Sequence, residues 1–140
     1  MEILYTAEAS ARGGRAGHAE SSDGHLVVDL SVPKEMGGPG GEGTNPEQLF
    51  AAGYAACFQG ALGVVARREK VSTDGSVVTV QVGIGPNGSG GYGLSAAISG
   101  SIPGIDLARA QELLDAAHQV CPYSNATRNN IEVTVTAVDA

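Results

Sequence analysis

The sequence predicts an α+β fold in one domain over residues 1–140, with helices laid against one face of antiparallel sheet. Three observations lead there. Strand patterns open the chain, a helix follows, then two strands, a second helix and a closing strand, which is the order of an α+β layer fold. From Glu47 to Arg67 no charged residue intervenes, and a helix apolar on nearly all sides is buried in a core or a membrane. A chain of 140 residues is one domain by length and can bury a substantial core.

Taken in order, Ile3–Ala9 and Ala16–Ser22 read as strands around the turn-like Arg12-Gly13-Gly14-Arg15. Asp23-Gly24 is a hairpin turn, and Leu26–Val32 alternates as a third strand that Pro33 ends. A glycine-rich loop, Lys34–Gly43, leads to the central helix. Asn45 can cap that helix, Pro46 suits its first position and Gln48 stands where a capping box closes. It should stop near Lys70. Its small residues, among them Ala52, Gly53, Ala56 and Gly60, would admit another helix at close range. Val77–Ile84 and Tyr92–Ile102 are the next strands, across a loop from Gly85 to Gly91. Asp106 then caps a helix whose apolar residues Leu107, Ala110, Leu113, Leu114, Ala117 and Cys121 recur near every 3.6 residues. Pro122 interrupts it, Tyr123–Arg128 can form one more turn, and Ile131–Val138 closes the chain as a strand.

Composition narrows the function classes. The net charge of −7 disfavours nucleic acid and anionic membranes, which attract clustered Lys and Arg. Met1 leads into a charged, strand-like stretch rather than a basic and then apolar leader, so a cytoplasmic protein is expected. Leu49–Ala66 reaches only the lower limit for spanning a bilayer and contains Tyr54, Gln59 and mostly Ala and Gly. A buried helix of a soluble protein is the expectation.

Several motifs carry possible chemistry. Gly38–Gly43 and Gly83–Gly88 both fit the glycine spacing of a dinucleotide-binding turn. Neither sits in a βαβ unit with a following acidic residue, so both read as flexible connections and no cofactor is expected. His118 and Cys121 are three apart on a helix face, as metal ligands or a Cys-His dyad can be, but the ligand set is incomplete and no metal is expected. The cysteines are two, Cys57 and Cys121. Each is either a small buried hydrophobe or, in a reducing compartment, half of a redox pair. Cys57 lies too deep in its helix for the dipole to lower its pKa, and burial would raise it. A reactive Cys57 therefore needs a cation brought to it.

Two long segments, Thr44-Asn-Pro-Glu-Gln-Leu-Phe-Ala-Ala-Gly-Tyr-Ala-Ala-Cys57-Phe and Val120-Cys121-Pro-Tyr-Ser-Asn-Ala-Thr-Arg128, surround the cysteines. Together with Gly13-Gly14-Arg15, Val32-Pro33 and the Gly-Gly-Pro-Gly-Gly loop, they resemble the OsmC/Ohr family, and within it the organic hydroperoxide resistance branch. The resemblance covers essentially the whole chain. One departure is Asn129-Asn130, where Gly-Asn is common in the branch.

The resemblance implies an OsmC-like fold, with antiparallel sheets wrapped around central helices in an intertwined homodimer. It implies a thiol peroxidase that reduces alkyl or lipid hydroperoxides to alcohols. Cys57 would be the peroxidatic residue, Cys121 the resolving one, and Arg15 with Glu47 the activating pair. A dithiol, such as a lipoyl group on a partner protein, would reduce the resulting disulfide. The chemistry of the residues agrees: a guanidinium stays charged and its fork can bind a carboxylate while still reaching sulfur. On one helix Glu47 and Cys57 stand roughly 15 Å apart along the axis and about 80° around it, so Glu47 of one chain is expected to meet Cys57 of another. Met36, Phe50, Tyr54, Phe58 and leucines of the second helix are the expected wall for an alkyl tail. Burying a few carbons there contributes a few kcal/mol at about 25 cal/mol per Å². The alternatives are an OsmC-branch peroxidase of broader substrate range, and a non-catalytic ligand-binding dimer with inert thiols.

Overall fold

A computed structural model describes residues Met1–Ala140, which fold as two compact units, Met1–Leu49 and Phe50–Ala140. In the first unit, β1 (Ala9–Arg12), β2 (His18–Ser21) and β3 (Val27–Asp29) form an antiparallel sheet in chain order. The hairpin between β2 and β3 turns at Asp23-Gly24. The Asp23 carboxylate accepts the Ser21 hydroxyl at 2.6 Å and the His25 N–H at 3.0 Å, and Gly24 takes φ 74°, where a side chain would be strained.

The first strand differs from the sequence expectation. It lies at Ala9–Arg12 instead of Ile3–Ala9, because β2 pairs only from His18 to Ser21 before the chain turns. Before Ala9 the pairing ends with one bond, from the Ser22 N–H to the Glu8 carbonyl at 2.9 Å, and Ile3, Leu4 and Tyr5 are exposed. A strand is stabilised by its ladder partners, not by its own pattern. β2 is also shorter than expected, since Gly14–Ala16 close a single 3-10 turn. The loop before the first helix is shaped by close packing: a Cβ on Gly38 would sit 2.4 Å from the Val32 carbonyl oxygen, and one on Gly43 would sit 2.6 Å from the Leu30 carbonyl carbon. Sterics explain these glycines.

Helix α1 runs Pro46–Arg68. Asn45 caps it, accepting the Gln48 N–H at 2.8 Å. Only half of the expected capping box closes, because the Gln48 side chain accepts the Thr44 hydroxyl at 2.8 Å. From Phe50 onward α1 joins the second unit. There β4 (Val77–Pro86) and β5 (Tyr92–Ser101) form a long antiparallel hairpin. Then come α2 (Leu107–Val120), capped by Asp106 accepting the Arg109 N–H, α3 (Pro122–Thr127) and β6 (Glu132–Ala137). The fold is α+β as predicted. One pairing departs from an all-antiparallel sheet: β6 runs parallel to β5, from Ser95↔Glu132 to Gly100↔Ala137. The helical crossover between them returns the chain in the same direction.

The core of this unit joins Tyr54, Phe58 and Leu62 of α1, Val80, Ala96 and Ile98 of the sheet, and Leu113, Leu114 and Ala117 of α2. Leu114 presses on β5 where Gly100 stands, since a Cβ there would lie 2.6 Å from its Cδ2. Burial of α1 is one-sided. Tyr54, Phe58, Ala61, Leu62, Val65 and Ala66 are buried, while Ala52, Ala56, Gln59 and Gly60 are exposed. The all-round burial expected of an uncharged helix is therefore not met within one chain. Asn129 takes φ 63°, a conformation free to glycine and tolerated best by asparagine among other residues, which accounts for the substitution there.

Candidate active site

The four residues expected to carry chemistry form two pairs. Cys57 lies on α1, on the flank between its buried and exposed faces, and is half-buried. Cys121 is fully buried at the joint between α2 and α3. Its N–H still donates to the Ala117 carbonyl at 2.8 Å, and its carbonyl already accepts the Asn125 N–H at 3.0 Å. The joint exists because of Pro122, whose ring disfavours helical geometry in the residue before it. Cys121 accordingly sits at φ −60°, ψ 124°, ending one helix and starting the next.

The two sulfurs are 3.5 Å apart, with the Cys121 thiol donating to Cys57 Sγ, and both cysteines are free. A disulfide requires about 1.5 Å of further approach to reach bonding length. Burial pushes the Cys57 thiol above its ordinary value, the nearby Cys121 adds to the rise, and the Tyr123 backbone N–H opposes it. Within the chain, burial and Cys121 thus favour the protonated thiol.

The second pair lies in the first unit. Arg15 sits in the 3-10 turn, entered through Gly13 at φ 75° and Gly14 at φ 58°. Gly17 lets the turn close, because a Cβ there would fall 1.8 Å from the Arg12 carbonyl oxygen. Glu47 stands in the first turn of α1. The guanidinium and carboxylate meet in a two-point fork, Nη1–Oε2 at 2.8 Å and Nη2–Oε1 at 2.7 Å. The Arg15 bonds hold the Glu47 carboxyl below the usual carboxylate range, and Glu47 in return holds Arg15 more firmly protonated. Two of the five guanidinium N–H donors are engaged, which leaves three for another partner.

The expected alkyl wall needs correction. Tyr54 and Phe58 have no exposed surface and belong to the core, where the Tyr54 hydroxyl is committed to Ser124 and Thr127 at 3.0 Å each. Apolar residues of this size at helical spacing bury where a sheet covers them, and the sequence alone does not show which face that is. Phe50 is half-buried and Met36 is exposed. Tyr123, absent from the expectation, stands 6.1 Å from the Phe50 ring and 5.7 Å from the Tyr54 ring, centroid to centroid. Its place two residues after Cys121 was the available signal. The His118 Nδ1 is hydrogen-bonded to Ser124 Oγ at 2.8 Å.

A fold of this order with two facing thiols defines a class of dithiol protein, and comparison gives its family. The pattern of the family described as "OsmC-like protein" matches residues 38–136. An organic hydroperoxide resistance protein of Xanthomonas axonopodis pv. citri is 57% identical over 136 residues, covering 96% of this chain and 95% of its own. The organic hydroperoxide resistance protein OhrB of Bacillus subtilis is 48% identical over 131 residues, covering 93% and 95%. A crystal structure of an organic hydroperoxide resistance protein from Elizabethkingia anophelis, with thiocyanate bound, superposes with a TM-score of 0.94 at 48% identity over 100% of both chains. The chain belongs to the OsmC-like family, and its similarity lies with the members named for organic hydroperoxide resistance.

Proposed function

We propose that the chain is a cysteine-based peroxidase that reduces organic hydroperoxides to alcohols. The observation that carries this is the 3.5 Å separation of two free sulfurs, one half-buried and one fully buried. The Cys57 thiolate attacks the peroxide oxygen distal to the alkyl group. The O–O bond breaks, the alcohol leaves with a proton, and Cys57 becomes a sulfenic acid. The Cys121 sulfur then displaces that hydroxyl as water, forming the Cys57–Cys121 disulfide before a second peroxide can drive sulfinic acid formation. An external dithiol, of the lipoyl type, restores both thiols by exchange and leaves as its own disulfide.

Activation of Cys57 falls to the Arg15–Glu47 pair of a second copy. The exposed small-residue face of α1, with open space around Gly60 and Gly63, suits an antiparallel neighbour in an intertwined homodimer. In that dimer Arg15 of one chain stands by Cys57 of the other, the carboxylate holds the guanidinium, and its free donors favour the thiolate. Phe50 keeps surface for an alkyl tail, which hydrogen peroxide lacks. The working compartment is the cytoplasm, where the dithiol state persists.

Steady-state turnover of cumene hydroperoxide with dihydrolipoamide tests the cycle. Cys57→Ser should abolish turnover. Cys121→Ser should permit one oxidation and then accumulate sulfinic acid at Cys57. Wild-type turnover by either variant would refute the assignment, as would faster reduction of hydrogen peroxide than of cumene hydroperoxide.

A further inference from the structure

Around α3, next to Cys121, runs a polar chain, buried except at the half-buried His118, that the proposed cycle does not use. Ser124 is fully buried, and its hydroxyl meets His118 Nδ1 at 2.8 Å and the Tyr54 hydroxyl at 3.0 Å. The Tyr54 hydroxyl also meets Thr127 Oγ1 at 3.0 Å, and Thr127 Oγ1 donates to the Ser124 carbonyl at 3.3 Å. These bonds tie α3 to α1 and to α2, and Cys121 is the joint between α2 and α3.

Proton counting gives the chain a direction. Each hydroxyl has one proton to donate. With the Thr127 proton on the Ser124 carbonyl, Tyr54 must donate to Thr127 and Ser124 to Tyr54. Every contact is then filled only if His118 carries a proton on Nδ1 and donates it to Ser124. Four residues on three helices are thus held in one arrangement, in a site where an unpaired group is costly.

We propose that His118, Ser124, Tyr54 and Thr127 are positioning residues for the resolving thiol, fixing α3 so that Cys121 Sγ faces Cys57 Sγ. The proposal deepens the peroxidase reading and rests on it for its biological meaning. The geometric content does not: thiols held close and oriented form a disulfide more readily than thiols on a loosened joint. Tyr54→Phe and Ser124→Ala remove a hydroxyl each and leave the fold's volume nearly intact. His118→Asn keeps a donor near the Nδ1 place, whereas His118→Phe keeps the ring and loses the bond.

The experiment measures the equilibrium of the Cys57–Cys121 disulfide, formed with diamide, against dithiothreitol in the full chain. Ser124→Ala and Tyr54→Phe each lose two bonds of the chain and His118→Phe loses one, so the effective concentration of the thiols should fall about tenfold in the first two and severalfold in His118→Phe. His118→Asn should stay within about threefold of wild type, and so should Val65→Ala, a core change outside the chain. Values within about twofold of wild type for all variants would overturn the proposal. So would a fall in Val65→Ala as large as that in Ser124→Ala, which would make the effect one of general destabilisation. A parallel pulse of cumene hydroperoxide should raise the sulfinic fraction at Cys57 severalfold in Ser124→Ala. If the wild-type thiols ignore that pulse, the peroxidase reading fails while the dithiothreitol equilibrium still judges the positioning.

Discussion

Replacing Arg15 with Met should deprive Cys57 of its thiolate form. Within one chain the Cys57 thiol is held above its ordinary value of 9.0 by burial and by Cys121, with the Tyr123 amide as the opposing influence. A thiol in that range is about 1% ionised or less at pH 7. A guanidinium brought within about 4–6 Å lowers an acid's pKa by roughly 1–3 units. Removing it should cut the thiolate population at pH 7, and the rate of Cys57 alkylation with it, about 10- to 1,000-fold. The assay is the pH–rate profile of iodoacetamide alkylation in a Cys121→Ser background, where Cys57 is the only thiol. Arg15→Met should move the midpoint upward, whereas Glu47→Gln, which frees the guanidinium without removing it, should move it less. Profiles that overlay between pH 6 and 10 would refute the activating role of Arg15.

Other expectations follow from packing and charge. Gly100→Ala places a methyl 2.6 Å from Leu114 Cδ2, so it should cost about 1–3 kcal/mol in denaturant unfolding, and Leu114→Ala should recover part of its packing clash. The Glu47 carboxyl is held below its ordinary 4.5. Its stabilising contribution is complete above that value and disappears as pH falls through the lowered folded value. Acid titration of stability should show that loss in wild type and lack it in Glu47→Gln. Gly60 is exposed, and a Cβ there meets nothing within 4 Å in the chain. Gly60→Leu should leave the chain folded, and by helix propensity even favour α1 by up to about 1 kcal/mol, yet weaken the proposed dimer in sedimentation. An unchanged dimer would remove that face from the interface.

What the sequence made legible is what local chemistry governs. Asn45 and Asp106 as caps, the Asp23-Gly24 turn and the break at Pro122 each act within a few residues, and each stands where expected. The fork between Arg15 and Glu47 and the meeting of Cys57 with Cys121 span long separations, and the sequence suggested them only through family resemblance. Long-range choices without a local signature were missed. Ile3–Ala7 have a strand's pattern but no strand pairing in the chain. The parallel seat of β6 depends on the crossover, not on its own residues. Tyr54 and Ser124 lie 70 residues apart, so no periodicity could show that the tyrosine is a buried anchor for α3 instead of a wall for substrate.

The central claim is that hydroperoxide turns the two facing thiols into one disulfide. Intact-mass and peptide mapping after one equivalent of tert-butyl hydroperoxide tests it directly. The expected product is a chain lighter by the hydrogens of both thiols, with the Cys57 and Cys121 peptides joined to each other. Two surviving thiols, or a Cys57 oxidised while Cys121 stays free in the wild-type chain, would contradict it.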